Sequence, residues 1–144
     1  MSPGYVLFYA TKWHNKAIQR VFRTRHFTRW MRKTELTDGT LCTAVAEMAQ
    51  GLVDADLGGG VVKKRVGLAG RGKWGGARTL VATNKGDRWF FVYGFAKNDR
   101  ASIADDELAA LQGIAEQLLV LTDPQLDSAV EDSSLKEICH DSKS

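Results

Sequence analysis

Residues 61–95, VVKKRVGLAGRGKWGGARTLVATNKGDRWFFVYGF, decide the fold of this chain. Three runs within them, 61–66, 77–83 and 88–95, are rich in β-branched, aromatic and other apolar residues, as strands are. The turn NKGD between the last two runs favours positive φ through its Asn and Gly, which predicts a hairpin. The stretch therefore predicts consecutive antiparallel strands. The last run is apolar on both faces, which predicts a central strand covered on both sides or one that lines a cleft.

The glycine-rich segment 67–75 matches short nucleotide-binding patterns. Residues 70–75 read G-x-G-x-x-G, and residues 67–73 read G-x-x-x-x-G-K, followed by Trp74 where Ser or Thr would hold magnesium. Both patterns hold phosphate because the glycine turn leads directly into a helix N-terminus. Here the glycines lead into RTLVAT, which is a strand sequence. We therefore predict no cofactor, and interpret the segment as a flexible, basic connection between two strands.

The flanking sequence completes an α+β order. VFRTR, residues 21–25, predicts a strand, and the apolar spacing in 26–35 and 41–52 predicts two helices, the second capped by Thr37 or Asp38. DDELAALQGIAEQLLVL, residues 105–121, predicts a third helix with acidic residues in its first turn. This order predicts a small antiparallel sheet with two N-terminal helices packed on it and a C-terminal helix.

Three segments follow from this order. We expect an N-terminal extension at 1–20, a single folded domain at 21–122, and an acidic tail at 123–144. Leu126, Leu135 and Ile138 are modest apolar anchors that predict short helical pieces in the tail.

The net charge of +3 hides a strong asymmetry along the chain. Residues 1–36 and 61–100 are strongly basic, whereas residues 37–60 and 101–144 are acidic. A basic segment of this density can bind a polyanion, because each phosphate that it neutralises releases counterions. The alternative is a solvated basic face balanced by the protein's own acidic tail, and charge alone does not separate the two.

The sequence shows no membrane span, signal peptide or metal motif. No apolar run approaches the length of a transmembrane helix, and no basic segment precedes the short apolar run near the N-terminus. Cys42 and Cys139 are far apart and no CxxC or His pair suggests zinc, so we expect two free thiols and no metal. These features predict a soluble protein of the reducing cytoplasm.

Several motifs together resemble one protein family. VVKKRVGLAGRGKWGGARTLVATNKGDRWFFVYGFAKNDRASI, followed by DDELAALQGIAEQLL, is similar to RelE/HigB-type toxins of bacterial type II toxin–antitoxin systems. The resemblance runs from about residue 21 to about residue 140. It implies a small antiparallel sheet with two helices on one side. It also implies a ribosome-dependent mRNA endonuclease, or mRNA interferase, that needs no metal, inhibits translation and is neutralised by a cognate antitoxin.

The resemblance also implies catalytic residues. In metal-independent cleavage the 2′-OH of the RNA attacks the adjacent phosphate, and the protein orients the groups and stabilises the negative charge. Arg78 matches the family's phosphate-binding arginine, for which a guanidinium fork is suited. Lys63 and Arg65, which alternate along one strand, match its basic pair. A Lys there acts as a base only if its pKa falls, which crowding by other cations favours. Lys97, after the last strand, is a further phosphate contact.

The predicted RNA-binding residues surround this group. Tyr93 can stack on a base, although a core position is equally compatible with its pattern. Where the family carries a second catalytic arginine after Lys97, this chain has Asn98, and Arg100 is the candidate substitute. The remaining predicted contacts lie next to the catalytic strand residues or in the glycine-rich connection: Lys64, Arg71, Lys73 and Trp74.

Two other functions stay open from the sequence. A ParE-like inhibitor of DNA gyrase shares this fold and acts by binding a protein, without RNA chemistry. A catalytically inactive member of the fold would bind an antitoxin only, and would contact DNA only as part of the toxin–antitoxin complex. The basic cluster around Lys63, Arg65, Arg78 and Lys97 favours the nuclease over the gyrase inhibitor.

Overall fold

The chain forms a six-stranded mixed sheet with two helices on each face. The structure, a computed structural model, describes residues 19–68 and 72–139, without the side chains of 68 and 72–75. The elements in chain order are β1 (Arg20–Thr24), α1 (Arg25–Met31), α2 (Asp38–Ala49), β2 (Ala55–Gly58), β3 (Val61–Leu68), β4 (Gly72–Thr83), β5 (Arg88–Ala96), α3 (Asp105–Leu119), α4 (Asp123–Glu131) and β6 (Leu135–Ile138). The predicted α+β class is confirmed.

The strand order is β2-β3-β4-β5-β1-β6, and one pairing corrects the predicted antiparallel sheet. β1 runs parallel to β5, with Val21 opposite Trp89 and Arg23 opposite Phe91. All other neighbours in this order are antiparallel. A parallel pair cannot be joined by a tight hairpin, and here the chain between β1 and β5 passes through two helices and three strands. The sheet is therefore mixed.

The predicted hairpin between β4 and β5 is confirmed. Lys85 has a φ of 64°, and the Asn84 side-chain oxygen accepts hydrogen bonds from the backbone N–H groups of Gly86, at 2.9 Å, and Arg88, at 3.2 Å. An Asn side chain that replaces a backbone acceptor in this way stabilises a tight turn. The turn sets the register next to it, and a shift between Leu80 and Val81 then places Arg78 on β4 opposite Phe95 on β5.

The two faces of the sheet carry separate cores. α1 and α2 cover one face, where Phe27, Leu41 and Phe91 are fully buried. α3 and α4 cover the other, where Phe90, Ala115 and Leu126 are fully buried. Adjacent residues of β5 thus enter opposite cores, so the central strand is covered on both sides. The family resemblance implied two helices on one side of the sheet, and α1 and α2 lie there. α3 and α4 form a second layer on the other side.

Side-chain caps explain where the helices begin. Thr24 and Thr37 accept hydrogen bonds from backbone N–H groups in the first turns of α1 and α2. The cap of α2 is therefore Thr37, one of the two predicted residues. In α3 the Glu107 carboxylate accepts from the Ala104 N–H at 2.9 Å. Each cap satisfies an N–H group that has no acceptor within its helix.

Two strands were not predicted. Residues 135–138, expected in a helical piece of the tail, form β6 and pair with β1, so that Leu135 lies opposite Thr24 and Ile138 opposite Val21. Residues 55–58, which follow the predicted second helix, form β2 beside β3. Four residues are too few to show the alternation of apolar and polar side chains that identifies a strand. Both segments form strands because each pairs with a neighbouring strand.

The two cysteines form a disulfide, which corrects the prediction of free thiols. Cys42 of α2 and Cys139, just after β6, are bonded with their Cα atoms 5.6 Å apart. They are 97 positions apart in the sequence, and only the pairing of β6 with β1 brings Cys139 beneath α2. Within the described ranges, the helices include none that is long and apolar enough to cross a membrane.

Candidate active site

Three basic side chains predicted to be catalytic share one face of the sheet. Arg65 of β3 lies opposite Arg78 of β4, and Lys63 lies opposite Leu80. Residues that are directly opposite in an antiparallel pair point to the same face, and alternate residues of a strand do so as well. Leu80 belongs to the core beneath α3. The cations Lys63, Arg65 and Arg78 therefore lie on the α3 face, beyond the end of its apolar core.

These cations line a polar cleft of about 310 Å³, together with Asp54 and Ala101. Asp54 precedes β2 and binds Arg65 twice. One carboxylate oxygen accepts from Arg65 Nε at 3.2 Å, and the other accepts from the Arg65 backbone N–H. Asp54 was not predicted as a site residue. Its backbone N–H donates to Lys63 O, and this bond, next to the unpredicted strand β2, places Asp54 beside β3.

Arg78 is the most enclosed cation of the polar cleft. It is 9% exposed, and its Nη1 is buried without a hydrogen-bond partner among the residues that the structure describes. A buried N–H group without an acceptor costs roughly 1–3 kcal/mol, and more when it is charged. Such a donor is typical of a site where a ligand supplies the acceptor. Arg78 Nη1 is therefore a donor that an anion entering the cleft could satisfy.

Lys64, a predicted RNA contact, lies on the opposite face. Lys64 is 5% exposed. Its Nζ donates to Leu52 O at 2.8 Å and lies 2.8 Å from a Glu47 carboxylate oxygen. The pleat of β3 turns Lys64 towards α2 while its neighbours Lys63 and Arg65 face α3. The structure therefore separates Lys64 from the polar cleft.

An aromatic and ionic cluster adjoins the polar cleft along β5. Phe95 is 4% exposed and lies opposite Arg78, and the Arg100 guanidinium lies 5.6 Å from the centre of its ring. Arg100 Nη1 donates to Tyr93 Oη at 3.2 Å and to a Glu107 carboxylate oxygen at 3.0 Å. Its Nη2 contacts the other carboxylate oxygen of Glu107. The guanidinium of Arg100 is thus committed to this cluster.

The charges of this cluster stabilise each other. Hydrogen bonds from Arg100 and then from the Ala104 N–H lower the pKa of Glu107 to about 2. The Glu107 carboxylate in turn raises the pKa of Arg100. Glu107 lies in the acidic first turn that was predicted for α3. Its carboxylate caps this helix and also binds Arg100.

The other predicted contacts differ in position. Lys97 and Asn98 are exposed in the turn after β5 and do not line the polar cleft. Arg71 lies outside the described residues, as do the side chains of Lys73 and Trp74. His26, at the start of α1, is a further residue of the site and stacks on Tyr93 with ring centres 5.5 Å apart and planes 5° from parallel. The parallel pairing of β1 with β5, which no local pattern shows, places it there.

A second basic surface lies beside α1 and the edge strand β6. This arginine groove has a volume of about 800 Å³, and its cationic lining residues are Arg23, Arg25, Arg29, Arg32 and Lys136. Arg23 pairs with Asp38 at 3.2 Å, and the only acidic side chain among the lining residues, Glu137, pairs with Arg20 at 2.8 Å. The arginine groove therefore has the charge of a polyanion-binding surface.

The described residues contain no group of three or more His, Cys, Asp or Glu side chains that could hold a metal ion. Comparison with curated proteins gave no match. Comparison with family models matched residues 19–138 to the RelE toxin of the RelE/RelB toxin–antitoxin system. The match spans β1 to β6 and includes both layers of helices. The chain belongs to the RelE toxin family.

Proposed function

We propose that this RelE-family toxin is a metal-independent endoribonuclease that cuts mRNA on the ribosome in the cytoplasm and is neutralised by a cognate antitoxin. One observation carries the proposal. Arg78 holds a buried guanidinium nitrogen without an acceptor among the described residues, in a cleft shared with Lys63, Arg65 and Asp54. A phosphodiester supplies both the missing acceptor and the negative charge that these cations would stabilise.

The cleavage would proceed by in-line attack within the RNA. The 2′ oxygen forms a bond to phosphorus while the bond from phosphorus to the 5′ oxygen breaks, which yields a 2′,3′-cyclic phosphate and a 5′-hydroxyl. Arg78 binds the non-bridging oxygens, where charge accumulates in the transition state. Arg65, held in place by Asp54, lies opposite it on β3 and stabilises the same charge.

Two groups of the polar cleft can move the protons. Asp54 contributes the only carboxylate among the lining residues, and it accepts the proton of the attacking 2′-OH. The Lys63 ammonium donates a proton to the departing 5′ oxygen. Lys63 therefore acts as the acid in this proposal, and no base with a lowered pKa is required of it. Lys97, in the turn after β5, would bind the neighbouring phosphate.

Other contacts would hold the RNA strand. Arg71, Lys73 and Trp74 remain candidates in the connection between β3 and β4, as do Tyr93 and Asn98 beside the polar cleft. Arg100 supports Tyr93 and Glu107 through its hydrogen bonds and so acts as a positioning residue, whereas Lys64 has no place in this surface. The arginine groove extends the basic surface along α1 and suits an RNA backbone or the acidic part of an antitoxin.

The proposal is tested by inducing the chain without antitoxin and mapping mRNA 5′ ends, with a gyrase supercoiling assay on the same cells. We expect new mRNA ends that disappear with Arg78→Ala and are reduced with Arg78→Lys, which keeps the charge but loses the fork. Lys85→Ala is the matched control, since Lys85 is 59% exposed in the hairpin turn, outside the polar cleft.

Two results would contradict the proposal. Growth arrest with intact mRNA and blocked gyrase would identify a ParE-like inhibitor. Growth without arrest, from a folded protein that still copurifies with its antitoxin, would identify a catalytically inactive member that contacts DNA only within the toxin–antitoxin complex.

A further inference from the structure

A second cleft lies between the sheet and α3, and the proposed chemistry does not use it. This ring cleft has a volume of about 360 Å³. Val92, Leu111 and Ile114 form apolar walls, His26 and Tyr93 contribute rings, and Glu107 lies on the side that adjoins Arg100. Ile114 is 42% exposed at the rim of the cleft.

We propose that the ring cleft binds one unstacked nucleobase of the RNA whose scissile phosphate lies at Arg78. The inference rests on the proposed endonuclease function and adds to it a subsite for a base. The chemical class of the occupant is a planar heteroaromatic ring, carried by a single-stranded polynucleotide.

The walls of the ring cleft match such an occupant. His26 and Tyr93 stack on each other with their planes 5° from parallel, so a base could extend this stack on an outer ring face. Stacking on aromatic side chains is a general way to hold single-stranded RNA because every base has a π face. The apolar side chains of Leu111 and Ile114 can cover the other side of a ring.

Charge separates a base from a phosphate in this cleft. Glu107 is the only charged carboxylate among the lining residues, and it stays ionised because Arg100 binds it. The lining residues include no Lys or Arg that could pair with a phosphate inside the ring cleft. A neutral base needs no such partner, and its phosphate would lie outside, towards the cations of the polar cleft.

The ring cleft and the polar cleft are neighbours along β5. Tyr93 lines the ring cleft, and its ring centre lies 6.3 Å from that of Phe95. Phe95 lies opposite Arg78, which lines the polar cleft. Arg100 contacts both aromatic residues and so fixes the boundary between the clefts. A base and a nearby phosphate of the same strand can therefore occupy the two clefts together.

The first test measures binding without cleavage. AMP, CMP, GMP and UMP are titrated separately into the isotope-labelled full chain, and amide chemical shifts are recorded. We expect shifts at His26, Tyr93 and Ile114 with at least one nucleotide. Ile114→Trp, which fills the cleft from its exposed rim, should weaken this binding about tenfold or more. Val120→Trp is the matched control, since Val120 is 73% exposed at the end of the same helix and does not line the cleft.

The second test couples the cleft to cleavage. A defined RNA is cut in the presence of ribosomes, with single abasic positions placed on either side of the cut site. One abasic position should slow the wild-type chain and Val120→Trp about tenfold, but should leave the rate of Ile114→Trp nearly unchanged, because the filled cleft has no base to lose. Equal effects on all three chains would overturn the inference.

The outcomes distinguish this inference from the proposed function. Nucleotide shifts in the ring cleft without any RNA cleavage would support the base site and contradict the endonuclease. Cleavage that disappears with Arg78→Ala, but with no nucleotide shifts and no abasic effect, would support the endonuclease and overturn the base site. If Ile114→Trp left nucleotide binding unchanged and abolished antitoxin binding, the ring cleft would be a docking surface for the antitoxin, which also overturns it.

Discussion

Lys64 and Arg78 are basic residues on neighbouring strands, and the two faces of the sheet treat them differently. On the α2 face, Lys64 is 5% exposed and its ammonium is satisfied by Glu47 and Leu52 O. On the α3 face, Arg78 is 9% exposed and one of its nitrogens finds no acceptor within the described part of the chain. Burial with partners is typical of a structural role, and burial without them of a ligand site. The comparison supports a structural role for Lys64 and the proposed ligand-binding role for Arg78.

The strongest test of this comparison is Arg78→Met. We expect RNA cleavage to fall about a hundredfold to a thousandfold, as for loss of a preorganised donor in a transition state. The free energy of unfolding should change by less than about 1 kcal/mol, because a buried charge with one unsatisfied nitrogen is replaced by an apolar chain. Cleavage rates on defined RNA and urea denaturation measure the two effects. Full activity, or unfolding of the variant, would break the assignment of Arg78 to chemistry.

Removal of the disulfide tests the structural role of the α2 face and should have the next largest effect. Cys42→Ser combined with Cys139→Ser should lower the free energy of unfolding by about 2–4 kcal/mol, since the bond closes a long loop in the unfolded chain. The folded fraction should still cut RNA, because the bond lies on the face away from the polar cleft. Dithiothreitol should reproduce the loss in wild type and have no effect on the double variant. An equal response of both chains to the reductant would contradict the prediction.

Lys64→Met should have the opposite pattern to Arg78→Met: it should lower stability and leave RNA cleavage unchanged. It takes the ammonium from Glu47 and the donor from Leu52 O, so we expect a loss of about 2 kcal/mol in unfolding free energy. Cleavage per folded molecule should not change. Lys85→Met is the control, because the pair of Lys85 with Asp56 is exposed and its loss should cost less than about 0.5 kcal/mol. Loss of RNA binding with unchanged stability would return Lys64 to the RNA surface.

The smallest effect concerns Glu107. Its pKa in the folded chain, about 2, lies below the ordinary value of 4.5. The folded state therefore gains stability from the ionised carboxylate above about pH 4.5 and loses it as the pH falls towards 2. Glu107→Gln should be less stable than wild type at pH 7, and the difference should shrink between pH 4.5 and 2. Urea denaturation at several pH values measures this, and a difference that is independent of pH would contradict it.

Local patterns were sufficient for much of the fold. The runs 61–66, 77–83 and 88–95 each have the composition of a strand, and NKGD has the chemistry of a tight turn, so the central hairpins were predictable. The alternation of Lys63 and Arg65 along their strand was enough to predict that they share one face. β2, β6 and the parallel pairing of β1 were not predictable, since each depends on a neighbour that is distant in the sequence.

The candidate site divides in the same way. The family resemblance brought Arg78 and its basic neighbours to attention, but Asp54 and His26 join the site through backbone pairing of segments that no pattern connects. Arg100 was a candidate substitute for a missing arginine, and its side chain instead binds Glu107 and Tyr93. Sequence shows which side chains are charged, whereas the partner of each charge depends on distance in three dimensions.

By itself, the sequence determined the class of fold, the central strands and the cationic segment, because hydrophobic period, turn chemistry and charge are properties of neighbouring residues. Only the tertiary structure decided which cation is satisfied and which is not. It joined Cys42 to Cys139, buried Lys64 against Glu47, and left a buried nitrogen of Arg78 without an acceptor among the described residues. The physical reason is that hydrogen bonds and ion pairs act over a few ångströms, and strands that meet at that range, such as β1 and β6, can be more than a hundred residues apart in the chain.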